Sequence, residues 1–159
     1  GYLNQMLKYG EDKFCQKIVD CGIDTVILPD LPMIEFENHY KDLFEKYGIT
    51  NVFLITPHTS EERIRKIDSY SKAFIYVVAS ASITGAKGDI SNNQVAYFER
   101  IKGMNLQSNL IIGFGISDKQ TFTTACNYAN GTIIGSAFIK NLGKNGVDKI
   151  DDFIKPIIS

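Results

Sequence analysis

The sequence predicts an α/β fold built on a parallel sheet, and three observations predict it. Five short apolar runs, each too brief for a buried helix, alternate with amphipathic segments of helical period. The gaps between them are far longer than a hairpin needs, as parallel strands joined by right-handed crossovers require. The last two runs both break at glycine and hand over to a small hydroxyl residue at a helix start, LIIGFGISDKQTF and GTIIGSAFIK.

In chain order, EDKFCQKIVDCG places Phe14, Ile18 and Cys21 on one side of a helix that stops at Gly22. TVILP (25–29) is the first strand. FENHYKDLFEKYG aligns Phe36, Tyr40, Leu43, Phe44 and Tyr47 before Gly48, so both Gly22 and Gly48 read as helix C-caps. NVFLIT (51–56), AFIYVVA (73–79), NLIIG (109–113) and TIIG (132–135) are the remaining strands. The helices between them open with the capping boxes Thr59-x-x-Glu62, Ser91-x-x-Gln94 and Ser117-x-x-Gln120. A short helix begins near Ser136 and breaks at Gly143–Gly146. A terminal helix starts at about Val147 with Ile150, Phe153, Ile154 and Ile157 apolar, and Pro156 is expected to disturb its final turn. The longest irregular stretch, SASITGAKGDIS (80–91), has the length of a lid.

With 159 residues and 44% hydrophobic content the chain can bury one core, so residues 1–159 are read as a single domain. Seventeen basic and eighteen acidic side chains leave a net charge of −1, which excludes an electrostatic footprint for nucleic acid or an anionic bilayer and favours a small-molecule site. Cys15, Cys21 and Cys126 are odd in number and lack CxxC spacing, which argues against disulfides and zinc and fits the cytoplasm. No apolar run approaches a bilayer crossing. The first residue is Gly1, so the expectation is a start set by processing, proteolysis or cloning.

The two glycine elements favour a (β/α)₈ barrel. That fold often binds phosphate with the loops after its last two strands and the N-terminus of a short extra helix, where free backbone N–H groups converge on an anion. Glycine lets backbone approach the anion without a Cβ in the way. Counting back makes the five strands numbers four to eight of the barrel. GFGISD lacks the third glycine of a dinucleotide fingerprint, so NAD is not expected. A single Gly-x-Gly fits turn chemistry equally well. The tandem pair, with Thr84-Gly85 as a third donor, points to phosphate.

GYLNQMLKYG, DTVILPDLP, LITPHTSEERI, IYVVASASITGAKG, IIGFGISDKQ and GTIIGSAFIK together resemble the successive strand-end motifs of the tryptophan synthase α chain family. The resemblance runs over essentially the whole chain and covers about the last five strands of that family's barrel. It implies a lyase of tryptophan biosynthesis that splits indole-3-glycerol phosphate into indole and glyceraldehyde 3-phosphate, paired with a β chain in an α₂β₂ heterotetramer. No cofactor or metal is implied for the α chain; pyridoxal phosphate belongs to the β partner.

The resemblance also implies residue roles. Phosphate is held at Gly85, Gly115, Gly135 and Ser136. The indole side of the pocket falls on Ile27, Ile55, Tyr76 and Val78, although ordinary barrel filling accounts equally well for Ile55 and Val78. Tyr76 is a supporting residue, since a strand-end phenol needs a polar partner and can steady a carboxylate. Thr84 resembles the lid threonine that closes on the catalytic aspartate. The two acid–base carboxylates of the family fall upstream of Gly1, so no catalytic residue is expected in this chain. Asn4 resembles a β-contact position. Asp30 reads as a supporting or subunit-contact residue, or as a solvated carboxylate organising the Pro29–Pro32 turn. His58 and His39 read as a loop histidine and a solvent-facing one. Glu61 and Glu62, four before Arg65 and Lys66, read as an ion-paired exposed face. Two alternatives stay open: a non-catalytic phosphosugar-binding domain, and another phosphate-binding barrel enzyme such as an isomerase.

Overall fold

A computed structural model describes residues 1–79, 92–113 and 115–159. Five strands, β1 (Thr25–Ile27), β2 (Thr50–Ile55), β3 (Phe74–Val78), β4 (Asn109–Gly113) and β5 (Gly131–Ile133), form one sheet in sequential order, every neighbouring pair parallel. Sequential order with a helical crossover after each strand is the winding of a barrel wall.

The helices are α1 (Leu3–Tyr9), α2 (Glu11–Asp20), α3 (Met33–Glu35), α4 (Lys41–Tyr47), α5 (Glu61–Tyr70), α6 (Asn92–Gly103), α7 (Lys119–Cys126), α8 (Ser136–Asn145) and α9 (Ile150–Ile158). A π-helical turn, Phe36–Tyr40, joins α3 to α4, so the predicted FENHYKDLFEKYG helix starts earlier and is wider in its middle. Gly22 and Gly48 close their helices as predicted: their N–H groups donate to Val19 and Glu45 carbonyls, and the next residues, Ile23 and Ile49, reach back to Ile18 and Phe44.

Two start signals are displaced. Ser60, not Thr59, caps α5 by accepting from the Arg63 N–H, because the Thr59 hydroxyl is already accepting from the Thr56 N–H. Asp118, not Ser117, caps α7, and its box partner is Thr121. Ser91 lies outside the described residues, while Gln94 donates to the Ala79 carbonyl at the end of β3. Helix α8 runs through Gly143 and ends at Gly146, and α9 continues past Pro156 to Ile158, where the Ser159 N–H still reaches the Lys155 carbonyl. Proline removes one donor in that last turn without ending the helix, because the turn is nearly over.

The register sorts the strand residues onto two faces. Val26, Phe53, Ile55, Ile75, Val77, Leu110 and Ile112 face the helices and are buried with Phe44, Ile64, Ile67, Phe98 and Ile101 in one core. On the opposite face Ile27, Leu54, Tyr76, Val78, Ile111 and Ile133 are only half-buried. That second face, away from the helices, is the inner wall of the barrel arrangement.

Polar ties hold the helix layer. Asp12 of α2 accepts from Lys46 Nζ (2.8 Å) and the Tyr47 hydroxyl (2.7 Å), and Glu11 accepts from the Tyr40 hydroxyl. His39 is exposed, as expected, yet its Nε2 lies 3.3 Å from Glu11. Cys15 beneath them is fully buried; burial, then the nearby Asp12 and Glu11 carboxylates, pushes its thiol up to about 11. All three cysteines are free. The expected intrahelical pairs of α5 do not form: Lys66 bridges to Glu37 at 2.8 Å and Arg65 donates to the Met104 carbonyl, which ties α5 to its neighbours.

Candidate functional site

Because all five strands are parallel, their C-terminal ends emerge on one rim, which gathers the residues after Ile27, Ile55, Val78, Gly113 and Ile133. Phosphate and substrate sites of barrels lie on such a rim.

Tyr76 is half-buried on the inner wall. It stands in register with Leu54 and Ile111, but its ring reaches diagonally over Gly113. A Cβ built on Gly113 would lie 1.9 Å from the Tyr76 hydroxyl and 2.2 Å from the adjoining ring carbon. Gly113 therefore clears the floor on which the phenol lies. Burial raises the Tyr76 hydroxyl above its ordinary value, so it stays protonated at neutral pH.

Gly115, two residues beyond β4, has φ +83°, in the left-handed region that favours glycine. Gly135 immediately precedes α8 with φ −100°, and a Cβ there would meet nothing within 4 Å. Among the described residues no side chain caps α8, so the first N–H groups of this ten-residue helix, starting at Ser136, stay available at the exposed rim. The pairing of Gly113 with Ile133 puts the two glycine-bearing turns side by side.

Of the expected indole-side residues, Ile27, Tyr76 and Val78 share the inner wall. Ile55 does not join them: it is in register with Val77, fully buried in the helix-side core. Thr84 and Gly85 lie outside the described residues, as does the expected 80–91 lid. Asp30 accepts from the Leu3 N–H with both carboxylate oxygens (2.9 and 3.1 Å), fastening the start of α1 to the end of β1. Asn4 sits exposed in the first turn of α1, and His58 is exposed on the rim loop after β2.

Two contacts escaped the sequence reading. Arg100 of α6 donates to the Pro57 (3.0 Å) and Thr59 (3.4 Å) carbonyls and so clamps the loop that carries His58. Gly113 read as a turn glycine, when its work is to admit Tyr76; a large strand residue two positions before its neighbour's glycine is the only sequence trace of that contact. Among the described residues no cluster of His, Cys, Asp and Glu is placed to hold a metal, and no helix is long and apolar enough to cross a membrane.

A parallel wall of strands in sequential order, with two glycine-bearing turns side by side on its C-terminal rim, defines the class of (β/α)₈-barrel proteins. The family model described as tryptophan synthase alpha chain matches residues 1–157. The chain belongs to that family. It is 55% identical over 157 residues to the tryptophan synthase alpha chain of Flavobacterium johnsoniae, a match covering 99% of this chain and 62% of the relative. It is 52% identical over 139 residues to that of Bacteroides thetaiotaomicron, covering 87% and 54%. Among solved structures it superposes on tryptophan synthase subunit alpha from Campylobacter jejuni with a TM-score of 0.82 at 29% identity, covering 99% of this chain and 62% of that one. It also superposes, at TM-score 0.80 and 26% identity over 98% of this chain and 62% of that one, on a chain of the tryptophan synthase a2b2 complex from Pyrococcus furiosus. The chain thus spans less than two thirds of the length of these relatives.

Proposed function

We propose that this chain supplies the phosphate-anchoring part of a tryptophan synthase α subunit, a lyase that cleaves indole-3-glycerol phosphate to indole and glyceraldehyde 3-phosphate. The observation that carries the proposal is the pair of adjacent rim turns, Gly113–Gly115 and Gly135–Ser136, the second opening onto an uncapped helix start. Retro-aldol cleavage needs a proton at indole C3, a base on the glycerol hydroxyl and an anchor that fixes the substrate between them. The N–H groups at the start of α8 anchor the phosphate, while Tyr76, Ile27 and Val78 form one wall for the ring. The family resemblance puts the acid–base carboxylates outside residues 1–159, and Asp30, occupied with the Leu3 N–H, does not stand in for them. No cofactor enters this step. A β chain carrying pyridoxal phosphate receives the indole in an α₂β₂ assembly, as the a2b2 complex from Pyrococcus furiosus suggests. The free cysteines suit the cytoplasm.

Gly135→Asp tests the anchor. The position has open space and an ordinary φ, so the variant folds, but a carboxylate now faces the incoming phosphate. Titration of glycerol 3-phosphate into the intact protein should show affinity reduced about tenfold or more, a cost of about 1.5–3 kcal/mol. Unchanged affinity would remove the cradle and the lyase reading with it.

A further inference from the structure

At the opposite end of the sheet from the rim lies a cavity of about 200 Å³ between α4, the end of α5 and the first residues of β2. At a liquid water's share of about 30 Å³, it has room for about six waters, or for one aromatic ring with a small substituent. It is not an effect of an open sheet edge, because β2 has both neighbours, β1 and β3, in place.

Its walls are aromatic and fixed. Phe44 is 2% exposed, and Phe36 packs edge-on against Tyr70 with ring centroids 5.7 Å apart. Glu37, which holds the Tyr70 hydroxyl above its ordinary value, is paired with Lys66 at 2.8 Å. Asn51 contributes to the floor; its amide oxygen is sealed from solvent and has no protein partner.

The charge at the mouth is unbalanced. Lys72 is paired with Glu45 at 2.9 Å. Lys41 makes no ion pair among the described residues; its ammonium lies 6.0 Å from the Tyr70 ring centroid, and the Glu45 carboxylate that it feels is the one already bound to Lys72. An uncommitted cation beside preorganised aromatic walls selects a flat apolar body carrying one negative group. We propose that this cavity is a second binding site, at the other end of the sheet from the rim, for a small aromatic carboxylate whose ring packs on Tyr70 and whose carboxylate meets Lys41.

The test is an NMR titration of the intact protein with sodium benzoate, with benzyl alcohol as the uncharged probe of the same size. The side-chain amide of Asn51 reports occupancy. Benzoate should shift it saturably, benzyl alcohol should bind about fivefold more weakly or worse, Lys41→Gln should weaken benzoate by a similar factor, and Ser69→Trp at the mouth should abolish the response. The absence of a saturable Asn51 shift up to about 20 mM benzoate overturns the proposal. So does equal affinity for the two probes, or benzoate binding to Lys41→Gln as to the unaltered protein. The two-probe comparison needs no variant, so a misfolded substitution cannot shield the idea. Glycerol 3-phosphate binding at the rim is read separately and is expected to be indifferent to benzoate.

Discussion

Tyr76 and Gly113 illustrate how one small residue positions a large one. The phenol lies diagonally across a neighbouring parallel strand, within reach of the partner two positions along, and only the missing side chain of Gly113 allows it. Gly113→Ala should therefore force the ring from its place and destabilise the intact protein by about 1–3 kcal/mol, the usual cost of overpacking. Tyr76→Phe should give no relief in the double variant, since the ring carbons themselves lie 2.2 and 2.7 Å from the added Cβ. Urea unfolding measures both. A change below about 0.5 kcal/mol for Gly113→Ala would mean that the ring has another low-energy position.

At the scale of elements, two aspartates fix the starts of elements through backbone donors. Asp118 caps α7 by accepting from the Thr121 N–H at 2.9 Å, and this bond is the main reason its carboxyl lies below the ordinary value of 3.8. Asp68, near the end of α5, accepts from the Gln107 (3.0 Å) and Ser108 (2.8 Å) N–H groups and thereby fixes the entry to β4. Burial alone would raise Asp68, but the Ser108 and Gln107 bonds together with Arg65 outweigh it, and its carboxyl is also lowered. A carboxyl lowered by folding stabilises the folded state above its unfolded pKa near 3.8 and loses that contribution as pH falls through the lower folded value. Asp118→Ala should cost about 1 kcal/mol at pH 7, as cap removals do. That difference from the unaltered protein should hold down to about pH 5 and shrink below about pH 3.8. Thermal melts across this range decide it; a difference that persists at pH 2.5 would assign the cost to something other than the ionised cap.

Those two aspartates also mark where the sequence was readable. Alternation of apolar runs with helical periods located all five strands, and Gly22 and Gly48 closed their helices as expected, because both signals are local. Helix starts slipped by one residue at Ser60 and Asp118, where adjacent polar side chains compete for the same orphan N–H groups and the winner depends on turn geometry. Helix α1 went unread: its seven residues bury only Met6, and its start is fastened by Asp30, which is 27 residues away. Of the site, the two glycine turns were legible as the breaks that follow β4 and β5. The separation of Ile55 from Tyr76 was not, because parity along β2 is set by its pairing with Val77, which only the register reveals.

At the scale of the whole molecule, burial is lopsided. The helix-facing strand residues Ile55, Ile75, Val77 and Ile112 are at most 1% exposed, while on the inner wall Ile27, Leu54, Tyr76, Val78, Ile111 and Ile133 stay half-buried and Val52 is the large side chain that is fully covered. Strands β1 and β5 each have a single partner in the sheet. The exposed large apolar residues, Ile34 apart, cluster toward the two ends of the chain: Tyr2, Leu7, Tyr9, Val19 and Ile23 on one side, Ile139, Val147, Ile154 and Ile158 on the other. These are the elements that flank the two strand edges, and in the longer relatives the rest of the barrel wall has room to pack against both. A polypeptide of residues 1–159 and nothing else should therefore self-associate or bind a hydrophobic dye such as ANS, since unpaired parallel edges and uncovered apolar side chains seek partners. It should also release no indole from indole-3-glycerol phosphate above background, because a phosphate anchor orients the substrate but moves no proton. Supplying the remaining part of the family barrel, either as a separate peptide or in one continuous chain, should give a monodisperse species, quench dye binding and bring turnover. Light scattering, dye fluorescence and indole release read the three effects independently. A monomeric, dye-silent 159-residue polypeptide would show that the open wall is self-sufficient. Turnover by that polypeptide alone would place the acid–base groups within residues 1–159, against the reading of Asp30 as a structural carboxylate.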